Sequence, residues 1–101
     1  MTPESKLKAN CKKIAQEFEC KLYPASFKGR KGLPDYLLLC PARALVFVEF
    51  KAEGTGVLSI HQVSSIIDLR MAGGEVWVIY NVLQFRDQLT RVIDERPVRF
   101  S

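Results

Sequence analysis

The chain has 101 residues, 48% of them hydrophobic and 26% charged. This is enough for a single globular domain over residues 1–101 and too little for two. No apolar stretch approaches the length of a membrane span, and no apolar run follows the first lysines as in a signal peptide, so we expect an intracellular, cytoplasmic protein. The net charge of +4 is uneven, because residues 1–31 carry eight Lys or Arg and three Glu, whereas residues 32–101 carry seven and eight acidic residues. The basic first third either is simply solvated or binds a polyanion.

The cysteines and the single histidine exclude several kinds of site. Cys11, Cys20 and Cys40 form no CxxC pair and would leave one odd thiol after any pairing. We therefore expect reduced thiols, with Cys11 and Cys40 as small core residues. One histidine does not favour a zinc site or a serine-histidine triad.

The first predicted element is an amphipathic helix over residues 3–19. Thr2 can cap it with Pro3 at its first position, and the apolar residues then recur at helical spacing: Leu7, Cys11, Ile14 and Phe18. Four lysines lie on the flanks of that stripe, where they can face solvent or a phosphate backbone: Lys6, Lys8, Lys12 and Lys13. Glu4 continues the stripe backwards, and it either faces the positive end of the helix dipole or belongs to a site.

Short strands follow the first helix. A short apolar piece around residues 22–23 is the least distinct of them, and a Gly-rich basic loop over residues 28–32 comes next. Two strands, 35–40 and 44–51, are joined by a three-residue turn at 41–43. Their segments 36–40 and 45–48 are continuously apolar, which predicts a sheet covered on both faces.

The second half alternates helix and strand. Ser59 caps a helix that runs to about residue 71, and its predicted inward side consists of Val63, Ile66, Ile67 and Arg70. A buried strand over residues 75–80 follows. Asn81 then caps a third helix, which Pro97 closes and whose inward residues are Val82, Phe85, Leu89 and Ile93. The predicted order is αβββαβα, an α/β fold with a mixed sheet flanked by helices.

The hairpin predicts a pair of opposed carboxylates. If Cys40 pairs with Ala44 across the turn, paired residue numbers sum to 84, and Asp35 lies opposite Glu49. Two carboxylates so placed repel each other unless a cation lies between them, and a hard divalent cation is a suitable one.

Lys51 follows Glu49 by two residues and therefore lies on the same face. Each fragment also has a plain structural interpretation: Asp35 as a turn residue after Pro34, and Glu49 with Lys51 as a surface pair. A register slip of one residue would also send Asp35 to the other face. The position of Glu49 at the end of an apolar strand argues for the site, because an unpaired carboxylate is costly there.

Three segments together resemble a known family. GRKGLPD at residues 29–35, EFK at 49–51 and GVLSIHQ at 56–62 are similar to the GxxGxPD … ExK … GxLSxxQ signature of the virus-type replication-repair nuclease (VRR-NUC) family, within the PD-(D/E)xK nucleases. The resemblance covers residues 4 to about 80. It implies a restriction-endonuclease-like fold with an αβββαβ core.

The resemblance also implies site roles. Asp35 and Glu49 would bind Mg²⁺ or Mn²⁺ together with the backbone carbonyl of Phe50. Lys51 would orient or deprotonate the attacking water and stabilise the developing charge. Glu4 and Gln62 would be accessory residues, with Glu4 touching the metal directly or through water. Ser59 and Gln62 also match a capping box, which is a purely structural alternative for Gln62, and His61 has no assigned role.

The activity implied is hydrolysis of DNA. We expect a metal-dependent, structure-specific endonuclease that acts on branched or junction DNA, as a Holliday junction resolvase does, in replication, repair and recombination. A phage-encoded protein acting in the host cytoplasm fits this expectation. The residues expected to bind DNA are Lys28, Arg30, Lys31, Lys6 and Lys13. No base-reading motif, membrane contact or small-molecule cofactor is expected, so the DNA would be recognised by its shape.

Small members of the family form homodimers, and the resemblance implies one here. The expected dimer surface is the third helix or the tail over residues 98–100. Two other functions stay open on the sequence: an exonuclease or flap nuclease of the same fold, and a non-catalytic DNA-binding module. Intact Asp35, Glu49 and Lys51 argue against the module, which has no need to hold two carboxylates together.

Overall fold

The computed structural model describes residues 1–41 and 44–95 and contains three helices and four strands. Their bounds are α1 Pro3–Glu17, β1 Lys21–Pro24, β2 Tyr36–Cys40, β3 Ala44–Phe50, α2 Ile60–Met71, β4 Glu75–Ile79 and α3 Val82–Glu95. This is the predicted αβββαβα order, so the α/β fold class is confirmed. The helix starts are confirmed too: Thr2 accepts from the Ser5 amide at 3.1 Å, and Asn81 accepts from the Gln84 amide at 2.8 Å.

The strands form one mixed sheet in the order β1-β2-β3-β4. β1 pairs with β2 and β2 with β3 in antiparallel fashion, whereas β3 and β4 are parallel. The β2–β3 register runs from Cys40 opposite Ala44 to Tyr36 opposite Val48. The predicted register is therefore confirmed, and with it the face on which each side chain of the hairpin lies.

The main core lies between one face of the sheet and the two terminal helices. α1 contributes Leu7, Cys11 and Ile14, and α3 contributes Phe85 and Leu89. Leu38 and Cys40 of β2, three residues of β3 and two of β4 complete it: Val46, Val48, Phe50, Trp77 and Ile79. All three cysteines are buried and form no disulfide, as expected for reduced core thiols.

α2 packs on the opposite face, over β4, and only part of its predicted inward side is buried. Ile66 is buried as predicted, whereas Val63 is 37% exposed and Ile67 is 50% exposed, so the prediction was wrong for these two. Ser65 is buried instead, and its hydroxyl donates to the Lys31 carbonyl at 3.3 Å. Arg70 does reach the sheet, where it donates to the Val76 carbonyl at 2.8 Å.

The face of the sheet beside α2 is less covered than the sequence predicts. Five apolar side chains of β1, β2 and β3 point to this side and are half-buried or exposed, and we call them the open face: Tyr23, Leu37, Leu39, Leu45 and Phe47. Leu45 is 52% exposed, and the Phe27 ring lies 6.4 Å from that of Phe47. The expectation of a sheet covered on both faces is therefore wrong for β1 to β3.

Some predicted features fall outside the described residues. The inner part of the hairpin turn at residues 42–43, Pro97 and the tail over residues 98–100 are among them. Within the ranges that are described, no helix has both the length and the apolar character needed to cross a bilayer.

Candidate active site

The candidate site lies where the β2–β3 hairpin opens. Continuing the register by one residue beyond Tyr36 and Val48 brings Asp35 opposite Glu49. The backbone is fixed on both sides, because the Asp35 carbonyl accepts from the Ala25 amide at 2.8 Å and the Lys51 amide donates to the Ile79 carbonyl at 2.9 Å. The strands thus hold the two carboxylates on one face at the end of the sheet.

Glu49 is the most perturbed acid of the site. It is only 6% exposed, and its pKa is raised from 4.5 to about 7, chiefly by burial. The negative charges of Asp35 and, to a smaller extent, Glu4 contribute to this rise, whereas Lys51 and Lys8 oppose it. The side chains predicted from the hairpin and from α1 are therefore electrostatic neighbours. Together these effects favour the protonated form of Glu49, so an additional positive charge nearby would stabilise its ionised form.

Lys8 is a member of this cluster that the sequence analysis placed only on a helix flank. Its ammonium lies 3.1 Å from Glu4 Oε2, 3.7 Å from Asp35 Oδ2 and 5.3 Å from the centre of the Tyr36 ring. Burial opposes its charge, but the hydrogen bond to Glu4 and the charge of Asp35 outweigh burial and raise its pKa. The i,i+4 spacing from Glu4 is the sequence signal that could have identified it.

The residues at the open end of the hairpin are suitable for a divalent cation that has only a few protein ligands. In the described ranges, no group of three or more His, Cys, Asp or Glu side chains is arranged to enclose a metal. Mg²⁺, however, is commonly held by one or two carboxylates with water and substrate phosphate completing its shell. Asp35 and Glu49 would supply that pair, and the backbone of the buried Phe50 adjoins them.

Gln62 lies at the start of α2 in a capping box. Its Oε1 accepts from the Ser59 amide at 2.9 Å, while the Ser59 hydroxyl accepts from the Gln62 amide at 3.1 Å. The structural alternative from the sequence is thus present, and the side-chain oxygen is engaged within the helix cap. The side-chain contacts described for Gln62 are those of the cap, and they do not include the carboxylates.

The basic loop before the site is fixed to α2. Gly32 has φ of +86°, and a Cβ there would lie 2.7 Å from the Gln62 amide nitrogen and closer still to the His61 carbonyl. Arg30 forms an ion pair with Asp68, so its charge is partly engaged. The other four basic residues predicted to bind DNA are exposed: Lys28, Lys31, Lys6 and Lys13.

The glycine of the GVLSIHQ segment, Gly56, packs against Lys51. A Cβ on Gly56 would lie 2.7 Å from the Ala52 nitrogen and carbonyl oxygen and 2.8 Å from Lys51 Cβ. The Gly56 amide also donates to the Ala52 carbonyl at 2.7 Å. Glycine is therefore required here by close approach, and the turn it allows supports Lys51.

Comparison with solved structures identifies the fold. The chain is similar to a structure described as "VRR_NUC domain", with a TM-score of 0.75 and 26% sequence identity over 94% of this chain and 98% of that chain. The chain has the VRR-NUC fold. No protein-family model and no curated protein matched the sequence.

The VRR-NUC resemblance inferred from the three segments is thus confirmed. The VRR-NUC neighbour covers nearly all of the chain and points to a nuclease of that family. The described cluster at the hairpin end contains three of the residues on which the resemblance rests: Asp35, Glu49 and Lys51.

Proposed function

We propose that this protein is a metal-dependent, structure-specific DNA endonuclease that hydrolyses phosphodiester bonds in branched DNA. The observation that carries the proposal is the buried Glu49, which lies opposite Asp35 when the hairpin register is continued by one residue and interacts with its charge. Like charges held together in a partly dry position are destabilising for a merely structural sheet. They become useful when a divalent cation binds between them.

Asp35, Glu49 and the Phe50 carbonyl would hold Mg²⁺ or Mn²⁺, with Glu4 as an accessory ligand directly or through water. The cation, when bound, supplies Lewis-acid polarisation of a phosphoryl oxygen and lowers the pKa of water. Lys51 lies on the same face beside the pair, where its ammonium orients the attacking water and stabilises the charge that grows on the phosphate. Gln62 supports the same region from the start of α2.

The substrate is held by its phosphates. Lys28 and Lys31 flank the site on the loop that leads into Asp35, Arg30 lies between them, and Lys6 and Lys13 extend the basic surface along α1. Contacts of this kind position DNA without reading its bases. The proposed role is cleavage of junctions in replication, repair and recombination in the cytoplasm, by a homodimer that places two sites on one branched molecule.

A cleavage assay tests the activity. The purified protein is incubated with labelled four-way junction, 5′-flap, duplex and single-stranded DNA, with Mn²⁺ or with a chelator. We expect metal-dependent internal cuts in branched substrates, at least about a hundredfold slower in Lys51→Ala because a transition-state cation is lost. Lys21→Ala, which removes an exposed lysine from β1, is the matched control and should cut normally.

Three outcomes contradict the proposal in different ways. Binding without cleavage in any metal would identify a non-catalytic DNA-binding module. Products released only from free ends would identify an exonuclease. Cleavage of all substrates at equal rates would leave nuclease activity but remove structure specificity.

A further inference from the structure

We propose that Cys20 and Cys40 are a dithiol pair that a low-molecular-weight disulfide oxidises to a cross-strand disulfide bond, which joins the start of β1 to the end of β2. Both cysteines are core residues, and neither takes part in the proposed nuclease site. Three observations support the pair: the strand register, the contact between the two thiols and the surface clefts that border them.

The register of β1 and β2 brings the two cysteines opposite each other. Lys21 pairs with Leu39 at the end of the ladder, so the next position along both strands places Cys20 opposite Cys40. Both side chains belong to the core between the sheet and the terminal helices. Cys20 is 2% exposed and Cys40 is 6% exposed. The two thiols therefore lie on the same face of the sheet, at its end.

The hydrogen bonds around this position show which kind of cross-strand pair it is. The Ala25 amide donates to the Asp35 carbonyl at 2.8 Å across the same two strands, so these two residues are a hydrogen-bonded pair. Such pairs alternate with non-hydrogen-bonded ones, and Cys20 is an odd number of positions away from Ala25. The Cys20 amide accordingly donates elsewhere, to the Ala15 carbonyl at 2.9 Å. Cys20 and Cys40 thus form a non-hydrogen-bonded pair.

A non-hydrogen-bonded pair has the spacing that a disulfide needs. Its Cα atoms are about 4.5 Å apart and its side chains approach more closely than in the other kind of pair. Disulfides span Cα separations of about 4.4 to 6.8 Å. The bond between Cys20 and Cys40 can therefore form without moving one strand away from the other.

The two thiols are already in contact in the reduced protein. Cys40 makes a side-chain hydrogen bond to Cys20, which lowers the Cys20 pKa, although burial has the larger effect and leaves that pKa raised. Cys20 Sγ also lies 3.6 Å from the Phe18 carbonyl oxygen. The Cys20 sulfur is thus held between the Phe18 carbonyl and the Cys40 thiol, next to the sulfur with which it would bond.

Each of the two thiols borders a cleft at the surface, where an oxidant can approach. Cys40 lines a cleft of about 230 Å³ next to Pro41, and Cys20 lines one of about 360 Å³ next to Lys21. Cys11 differs from both, because it is 0% exposed and burial raises the pKa of its thiol to about 12. A thiol with so little thiolate is a poor nucleophile, so Cys11 should stay reduced.

The oxidation consists of two thiol–disulfide exchanges. One cysteine thiolate attacks a sulfur of oxidised glutathione, which releases one reduced glutathione and leaves a mixed disulfide on the protein. The other cysteine thiolate then attacks the protein sulfur of that mixed disulfide and releases the second glutathione. The two protein thiols lose two electrons and two protons, and the two glutathione thiols receive them.

The bond would constrain the segment that leads into the candidate site without touching the site itself. It closes a loop around residues 21–39, which include the basic loop and Asp35. Asp35 lies beyond the other end of β2, about 17 Å from Cys40 along the strand. Because a closed loop of about 20 residues restricts the unfolded chain, we expect oxidation to raise the Tm by on the order of 10 °C.

Equilibration of the full chain with oxidised glutathione tests the pair. The native protein is incubated with the oxidant, quenched in acid, unfolded with a thiol alkylator and digested with trypsin. We expect the peptides 14–21 and 32–43 to be joined by a disulfide, Cys11 to be alkylated and the Tm to rise. Cys11→Ala is the matched control and should behave like wild type, whereas Cys20→Ala and Cys40→Ala should show no bond and no rise.

Four results would overturn the inference. They are three alkylated cysteines after equilibration, a mixed disulfide that persists with one glutathione, a bond that includes Cys11, and a bond between two chains. The peptide map of the wild type gives the answer even if a cysteine variant fails to fold. No step of the test measures DNA cleavage, so its outcome is independent of the proposed nuclease activity.

Discussion

Burial and the neighbouring carboxylates disfavour the ionised form of Glu49 in the folded protein. Its folded-state pKa of about 7 exceeds the ordinary 4.5, so the folded protein binds a proton more tightly than the unfolded chain over that interval. Stability from this group is therefore present at low pH and is lost as the pH rises from 4.5 through about 7. A bound cation would reverse the penalty, because it favours the ionised carboxylate.

Replacing Glu49 by glutamine should therefore stabilise the metal-free protein. At pH 8 with a chelator, we expect Glu49→Gln to raise the free energy of unfolding by roughly 1 to 3 kcal/mol, with a smaller gain at pH 5. Urea unfolding at the two pH values measures this. Glu17→Gln, which breaks the exposed pair with Arg86, should change little at either pH. A Glu49→Gln variant less stable than wild type at pH 8 would refute the electrostatic account.

Lys8 should compete with the divalent cation for the same carboxylates. Its ammonium already contacts Glu4 and approaches Asp35, so its removal leaves those charges uncompensated. We expect Lys8→Met to lower the Kd for Mn²⁺ about tenfold, measured by calorimetry without DNA. Lys12→Met, on the exposed side of the same helix, is the control. An unchanged or higher Kd would mean that Lys8 positions the carboxylates rather than competing for them.

The contrast between Asp35 and Lys8 shows what sequence can predict of a site. Strand pairing obeys a fixed register, so one turn length was enough to bring Asp35 opposite Glu49. Lys8 depends on how α1 lies on the sheet, and the apolar stripe fixes only which side of the helix is inward. A long side chain at the border of that stripe can turn to solvent or to the site. In the folded protein, Lys8 turns to the site because the carboxylates of Glu4 and Asp35 attract its ammonium.

At the scale of the elements, the conformation of the loop before β2 depends more on Gly32 than on Gly29. Gly29 and Gly32 both have φ near +85°, but a Cβ on Gly29 meets nothing within 4 Å, whereas one on Gly32 collides with the backbone of α2. We expect Gly29→Ala to cost about 1 kcal/mol of stability and Gly32→Ala roughly 3 kcal/mol, measured by urea unfolding. Equal costs would show that the loop is free to move off the helix.

The same loop explains why the α2 prediction was wrong. Hydrophobic spacing alone allowed Val63 and Ile67 to face the sheet. The inward side is instead set by the Ser65 hydroxyl on the Lys31 carbonyl and by the tight packing of Gly32 on the helix start. Such contacts join segments that are distant along the chain, and periodicity within one helix carries no information about them.

For the whole molecule, the uneven charge predicts the salt dependence of binding. With a chelator present to prevent cleavage, we expect junction affinity to fall steeply as salt rises, since phosphate contacts release counterions. The log–log slope should decrease by about one for each of Lys28→Ala and Lys31→Ala. Lys21→Ala should leave the slope unchanged. An affinity that is constant between low and moderate salt would contradict phosphate binding by the loop.

The order of elements and the strand register were predictable because both follow from local patterns. Caps at Thr2, Ser59 and Asn81 mark three helix starts, and a short turn sets the hairpin. The exposure of the sheet was not predictable. Apolar strands such as Leu45 to Val48 indicate that both faces of the sheet are covered. They do not indicate whether the covering residues belong to the same chain or to another molecule.

The packing of α1 has a consequence for folding kinetics. Glu4 and Lys8 reach the carboxylates from a helix that packs on α3, so two elements from distant parts of the chain must dock before the cluster is complete. Contacts within the β2–β3 hairpin are local and form sooner than such distant ones. We expect a refolding molecule to hold Asp35 and Glu49 side by side before Lys8 arrives. For that interval the pair would be open to any cation in solution.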